Sequence, residues 1–199
     1  MIQATGIRKS YGMTLSFMMI SGVIFGFLAC FHPDFVMSIN LSYDQVKEAG
    51  FRQFVIDTLE RFALPPKAIT LELTESKIIA DWAFINKEFD AFRRLGISIA
   101  MDDFGTGYSS LSMLKNLSCD IIKIDREFVK DILSQDFDYR LVKYTVDLCH
   151  SIGMTVVMEG VEEEAAYRLL ADEIDADIIQ GYLFGRPEPI AEFEKKFLA

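Results

Sequence analysis

From Phe35 onward the chain alternates between two kinds of apolar pattern. Short continuous runs, rich in Ile, Val and Leu, recur along it: FVMSIN (35–40), ITLELTE (69–75), ISIAMDD (97–103), DIIKID (120–125), TVVMEG (155–160) and DIIQG (177–181). Each has the length of a buried strand. Between them lie stretches with the three-to-four-residue period of an amphipathic helix. Ser42 and Gln45 have the spacing of a capping box and open a helix that runs to about Arg61. Asp81 can cap a second helix, ending near Gly96, whose missing side chain suits a left-handed stop. A third, over about 137–152, carries Leu141, Tyr144, Thr145, Leu148 and Ile152 on one face and stops before Gly153.

Strands alternating with helices predict a parallel sheet with covered faces. Five of the six runs carry Asn, Asp, Glu or Lys toward their carboxyl ends, and the sixth brings Gln180. Polar groups at the carboxyl ends of many strands are the mark of a (β/α)₈ barrel, whereas an open doubly wound sheet concentrates its site at one switch point. No GxGxxG or P-loop sequence is present. A barrel needs eight strands, so two strand–helix units are expected to be missing at the front.

The first 31 residues are of different material. They hold Arg8 and Lys9 and no acid, and the 19 residues from Met13 to Phe31 are uncharged. That is about the length of a membrane-crossing helix. Three readings stand side by side: a membrane anchor or signal segment, a buried helix of the main domain, or the product of a shortened reading frame. The organisation expected is an apolar segment over 1–34, serving as an anchor or a replaced barrel element, and a main domain over 35–199.

The 199 residues are enough for one domain with a sizeable core, and they carry a net charge of −10. Such an acidic chain is a poor partner for DNA or RNA. Cys30, Cys119 and Cys149 have no CxxC spacing and suit reduced thiols in a cytoplasmic setting. With only His32 and His150, a His- or Cys-rich zinc site is excluded, and any metal must be held by oxygen.

The strand ends collect Asn40, Glu72, Glu75, Asp102, Asp103, Lys123, Asp125, Glu159 and Glu162. Crowded carboxylates repel unless cations bridge them, and paired divalent ions that clamp a phosphoryl displacement are a standard resolution. Asp102 and Asp103 point to opposite sides of an ideal strand, so both reach such a site only if the chain turns at Phe104–Gly107. Lys123 could hold a nucleophilic water or offset charge on phosphate.

The stretches INLS (39–42), LELTES (71–76), MDDFGTGYSSL (101–111), IKIDREFV (122–129), EGVE (159–162) and QGYLFGRP (180–187) resemble, in order, those of the EAL domain. This is a bacterial signalling module that hydrolyses cyclic di-GMP to linear pGpG. The resemblance implies an EAL-type TIM-like barrel here without its first two strands, a two-metal site using Mg²⁺ or Mn²⁺, and a homodimer. It implies Asn40, Glu72 and Asp102 as ligands of one metal and Asp102, Asp103 and Glu159 around the second. Lys123 then lies near the attacking water, with Glu159 as general base. Glu75, Asp125, Glu162, Gln180, Arg186 and Pro187 support the site or contact substrate, Glu75 by steadying the Asp103–Ser110 loop.

The sequence also departs from that family. The Glu-Ala-Leu signature, whose glutamate is a metal ligand, is absent, and so is the arginine that follows it. Glu163 and Ala166 stand where threonine and glutamine are usual, Met158 replaces an alanine, and one extra residue precedes Gln180. Two functions are therefore expected to compete: a metal-dependent cyclic di-GMP phosphodiesterase, and a non-catalytic relative that binds nucleotide or protein.

Overall fold

In the computed structural model the described residues are 2–3, 36–74, 81–105, 110–187, 189, 192 and 195. Seven strands form one all-parallel sheet in chain order: β1 (Ile2–Gln3), β2 (Met37–Leu41), β3 (Ile69–Thr74), β4 (Ser98–Phe104), β5 (Ile121–Ile124), β6 (Thr155–Met158) and β7 (Ile178–Ile179). All six runs read from the sequence become strands. β1 is an addition: Ile2 and Gln3 lie opposite Met37 and Ser38, so the chain's beginning takes up a strand position expected to be vacant. Two residues carry no periodicity, and only tertiary pairing reveals them. Glu75 and the apolar stretch 13–31 lie outside the described residues; among those described, no helix is long and apolar enough to cross a membrane.

The helices are α1 (Tyr43–Lys47), α2 (Phe51–Arg61), α3 (Trp82–Leu95), α4 (Ser110–Asn116), α5 (Arg126–Val129), α6 (Asp136–Ser151) and α7 (Glu164–Arg168). The Ser42–Gln45 box forms in both directions, Ser42 N donating to Gln45 Oε1 and Gln45 N to Ser42 Oγ. The helix expected to run unbroken to Arg61 does not. It stops at Glu48, whose backbone is extended, and restarts after Gly50, which sits at φ +89°. Asp81 Oδ1 accepts from Phe84 N and Gly96 ends α3 at φ +93°, as the sequence predicts.

On α6 the apolar face read from periodicity is not the one the fold buries. Val142, Val146 and Cys149 face the sheet, while Tyr144 (66%), Leu148 (41%) and Ile152 (50%) are exposed. The helix carries two apolar stripes. The compact side chains at 142, 146 and 149 allow close approach to β6 and win the core position. After α7 the chain winds as a π-helix over Leu169–Ile174. That wider winding takes up about one residue more per turn than an α-helix.

Strand residues divide by parity. Ile39, Leu41, Leu71, Leu73, Ile99, Met101, Ile122, Ile124, Val156 and Met158 pack in one core with the helices. On the other face Ala100, Ile121, Val157 and Ile178 form a separate apolar layer. Two residues further along each strand, on that same inner face, come Asp102, Lys123, Glu159 and Gln180. The inner face thus changes from apolar to charged toward the carboxyl end of the sheet.

Candidate active site

Asn40 lies opposite Glu72 across β2 and β3, and Asp102 lies opposite Thr74 across β3 and β4. The β4–β5 register then slips. Met101 pairs with Ile122 but Phe104 with Ile124, so three steps on β4 match two on β5. The bulge holds Asp102 and Asp103, and Asp103 adopts φ +56°. The turn expected at Phe104–Gly107 therefore begins inside the strand, through a left-handed aspartate that breaks the usual alternation.

Lys123 lies across from this bulge, and it joins the mouth together. Its side chain is 1% exposed, and its Nζ donates to Asp102 Oδ1 at 2.8 Å and to Glu72 Oε2 at 2.9 Å. The same Nζ stands 2.7 Å from Glu159 Oε1, paired as ions without hydrogen-bond alignment. Glu72 is equally buried, and Asp102 and Glu159 are only slightly open. Three carboxylates from three strands thus converge on one ammonium.

Burial alone would push Lys123 toward its neutral form, but Glu72, Asp102 and Glu159 outweigh it and hold its pKa above the ordinary lysine range. Burial raises the pKa of Glu159. Lys123 works against that rise, and the charges of Asp102 and Glu72 add to it.

The remaining residues singled out from the sequence lie around this focus or outside it. Asn40 is exposed at the rim. Asp125 caps α5, accepting from Glu127 N at 2.8 Å. Gln180 is tied into the sheet end, its N donating to Met158 O and its O accepting from Val161 N. Glu162, Arg186 and Pro187 are exposed, and the Arg186 guanidinium lies 4.5 Å from the Tyr182 ring centroid.

Sequence reasoning missed what shapes the loops. Gly181 packs so closely on the Val161 backbone that a Cβ would collide with it, and Gly160, at φ +73°, packs equally closely on Arg126. Their signal was present in EGVE and QGYLFGRP, as glycines directly after site residues.

Glu72, Asp102, Asp103 and Glu159 with Asn40 offer only oxygen, which suits hard divalent cations. Among the described residues no three His, Cys, Asp or Glu are arranged to hold a metal by themselves, because the carboxylates close on Lys123 instead. Three carboxylates against one ammonium still leave an excess of negative charge at the mouth, so the donor set fits a divalent ion. A groove of about 410 Å³ lined by Asp90, Arg93, Arg94, Gly96, Ile97, Ser98 and Asp120 lies at the opposite, amino end of β4, away from these groups.

A parallel barrel-type sheet with a charged cluster at its strand ends defines a TIM-like architecture. Within that class the chain belongs to the EAL domain family, whose sequence model matches residues 7–187. It is 37% identical over 155 residues to the cyclic di-GMP phosphodiesterase PdeA of Borreliella burgdorferi, covering 78% of this chain and 23% of that protein. The crystal structure of the EAL domain of Mycobacterium smegmatis DcpA superposes with a TM-score of 0.82 at 33% identity, over 90% of this chain and 81% of that one. The manganese and cyclic di-GMP complex of Klebsiella pneumoniae BlrP1 gives 0.77 at 32% identity, over 90% and 46%. The chain spans a quarter or less of the length of the curated relatives it matches.

Proposed function

We propose that this chain is a cyclic di-GMP phosphodiesterase domain that hydrolyses its substrate to linear pGpG with the help of Mg²⁺ or Mn²⁺. The observation that carries the reading is the convergence of Glu72, Asp102 and Glu159 on Lys123 at the carboxyl end of the sheet. The substrate is argued from the family and from the relatives that act on or hold cyclic di-GMP.

Asn40, Glu72, Asp102, Asp103 and Glu159 would hold the metal. When bound, divalent ions would make water a better nucleophile at neutral pH and offset charge on the phosphate. The protein's own groups divide the remaining work. Glu159, with its raised pKa and a little exposure to the mouth, is suited to take a proton from the attacking water. Lys123 sets positive charge beside the phosphoryl oxygens and orients Glu159. Gln180 and Arg186, on the loop after β7, are proposed to contact substrate, with Pro187 shaping that loop. Asp125 supports the site by fixing α5, while Glu75 and Glu162 are proposed supports of the neighbouring loops.

A second reading has its own observation. The sequence contains no Glu-Ala-Leu, and Lys123 already engages three of the acids. A non-catalytic module that binds cyclic di-GMP or a protein would look like this. Hydrolysis of cyclic di-GMP by the purified chain in Mn²⁺, beside Glu159→Gln, separates the two. Turnover lost in the variant supports the enzyme; folded protein without turnover leaves the binding module.

A homodimer is proposed from the second apolar face of α6, where Phe137, Tyr144, Leu148 and Ile152 are exposed. A stripe of this kind on a helix flank favours association. A cytoplasmic setting is proposed from the buried, free thiols of Cys119 and Cys149.

A further inference from the structure

The focus of the mouth is a cation that belongs to the chain. A lysine ammonium has three protons, and here three different carboxylates stand within 2.9 Å of Nζ, two of them hydrogen-bonded. Glu72 and Lys123 are almost wholly buried, and the side chains of Asp102 and Glu159 are 11% and 16% exposed. Left without a counter-charge, three such carboxylates would repel one another and lack hydration. The Cα of Lys123 is fixed in the middle of the sheet, between β4 and β6, while its head is carried on four flexible methylenes.

We infer that Lys123 is a resident counter-ion, which holds Glu72, Asp102 and Glu159 together before metal is loaded and competes with a divalent cation for them. This rests on the reading of the mouth as a Mg²⁺ or Mn²⁺ site, but not on hydrolysis of any substrate. The metal-free protein keeps an ordered mouth without needing the ion to fold. The same contact lowers metal affinity, because entry of the ion means drawing carboxylate oxygens away from an ammonium that satisfies them. Lys123 is in this respect a positioning residue, acting on the carboxylates and through them on the metal.

The test compares wild type with Lys123→Met, both stripped of metal, by thermal unfolding and by Mn²⁺ titration followed by electron paramagnetic resonance. The variant should melt below wild type without metal, gain more in Tm at saturating Mn²⁺, and bind Mn²⁺ at least tenfold more tightly. A lysine of merely structural importance would lower Tm in both states and leave affinity unchanged or weakened, and that result overturns the inference. A wild-type chain that binds no Mn²⁺ overturns the metal reading of the mouth together with the inference. Should Lys123→Met not fold without metal, wild type labelled with ¹⁵N-lysine decides. Its buried, slowly exchanging ammonium resonance should shift or vanish on Mg²⁺ saturation, and a signal unmoved at saturation rejects the competition.

Discussion

Asp120 and Asp177 make the same connection at two places in the sheet. Each precedes a strand that begins Ile-Ile, and each accepts a backbone N–H from the neighbouring strand: Asp120 Oδ2 from Ile99 N at 3.0 Å, Asp177 Oδ2 from Val156 N at 2.7 Å. Each also holds a basic or imidazole side chain from the helix before that neighbouring strand. Arg93 of α3 donates to Asp120 Oδ1 at 2.8 Å, and His150 of α6 lies 2.8 Å from Asp177 Oδ2. One carboxylate thus fastens a strand, its neighbour and a helix end at the amino edge of the sheet, opposite the candidate site. The repeated sequence DII(K/Q) is the trace of this device.

Replacing Asp177 with Ala should cost roughly 1–2 kcal/mol, chiefly by leaving Val156 N without its acceptor. Burial pushes the Asp177 carboxyl up, but the bonds from Val156 and His150 outweigh this and leave its pKa below the usual value. A depressed pKa gives stability that is present above the unfolded value of about 3.9 and is lost as pH falls through the lower folded value. The gap in Tm between wild type and Asp177→Ala should therefore hold from pH 5 to 7 and narrow below pH 4. Melting curves across that range check it.

Gly181→Ala should destabilise the loop after β7 by about 1–3 kcal/mol, since its Cβ meets the Val161 backbone, which cannot swing away as a side chain does. The adjoining Gln180–Val161 hydrogen bond would be disturbed with it. Urea unfolding gives the stability change, and a substitution without effect would mean that Gly181 is not in this close approach.

Glu159→Gln should lower hydrolysis of cyclic di-GMP by about 10²–10⁴-fold, the scale of losing a general base. The circular dichroism spectrum should be unchanged, because the amide keeps the shape of the side chain. Steady-state assays in Mn²⁺ provide the measurement, and near-normal turnover would move the proton acceptor elsewhere.

Tyr144→Glu combined with Leu148→Lys should leave the monomer's stability within about 0.5 kcal/mol, since both side chains are exposed. If the second face of α6 joins two copies, sedimentation velocity will show dimer in wild type and monomer in the double variant.

The thiols of Cys119 and Cys149 should resist Ellman's reagent in the native protein. Burial pushes them up to about 12 and about 11, with the nearby Asp120 and Asp177 charges adding to the effect. In a Cys30→Ser background both should react only after denaturation, and rapid native reaction would show that α6 opens readily from the sheet.

The linear pattern was enough for six of the seven strands, the parallel sheet and the capped starts at Ser42 and Asp81. These depend on contacts between residues close in sequence, or on a period that one strand or helix carries alone. The residue types of the mouth were legible for the same reason: Asn40, Glu72, Asp102, Lys123 and Glu159 each lie in the carboxyl-terminal half of an apolar run. Which face of α6 is buried was not legible, because that helix has two apolar sides and only packing against β6 chooses between them. Nor was β1, whose two residues become a strand only by meeting β2. The meeting of Glu72, Asp102 and Glu159 at Lys123 Nζ spans separations of 21 and 51 residues for its two hydrogen bonds. It depends on strand stagger and on the bulge at Asp102–Asp103. Sequence determined which charges stand at the strand ends; the tertiary structure decided that three of them share one buried cation, because register and burial belong to the assembled sheet.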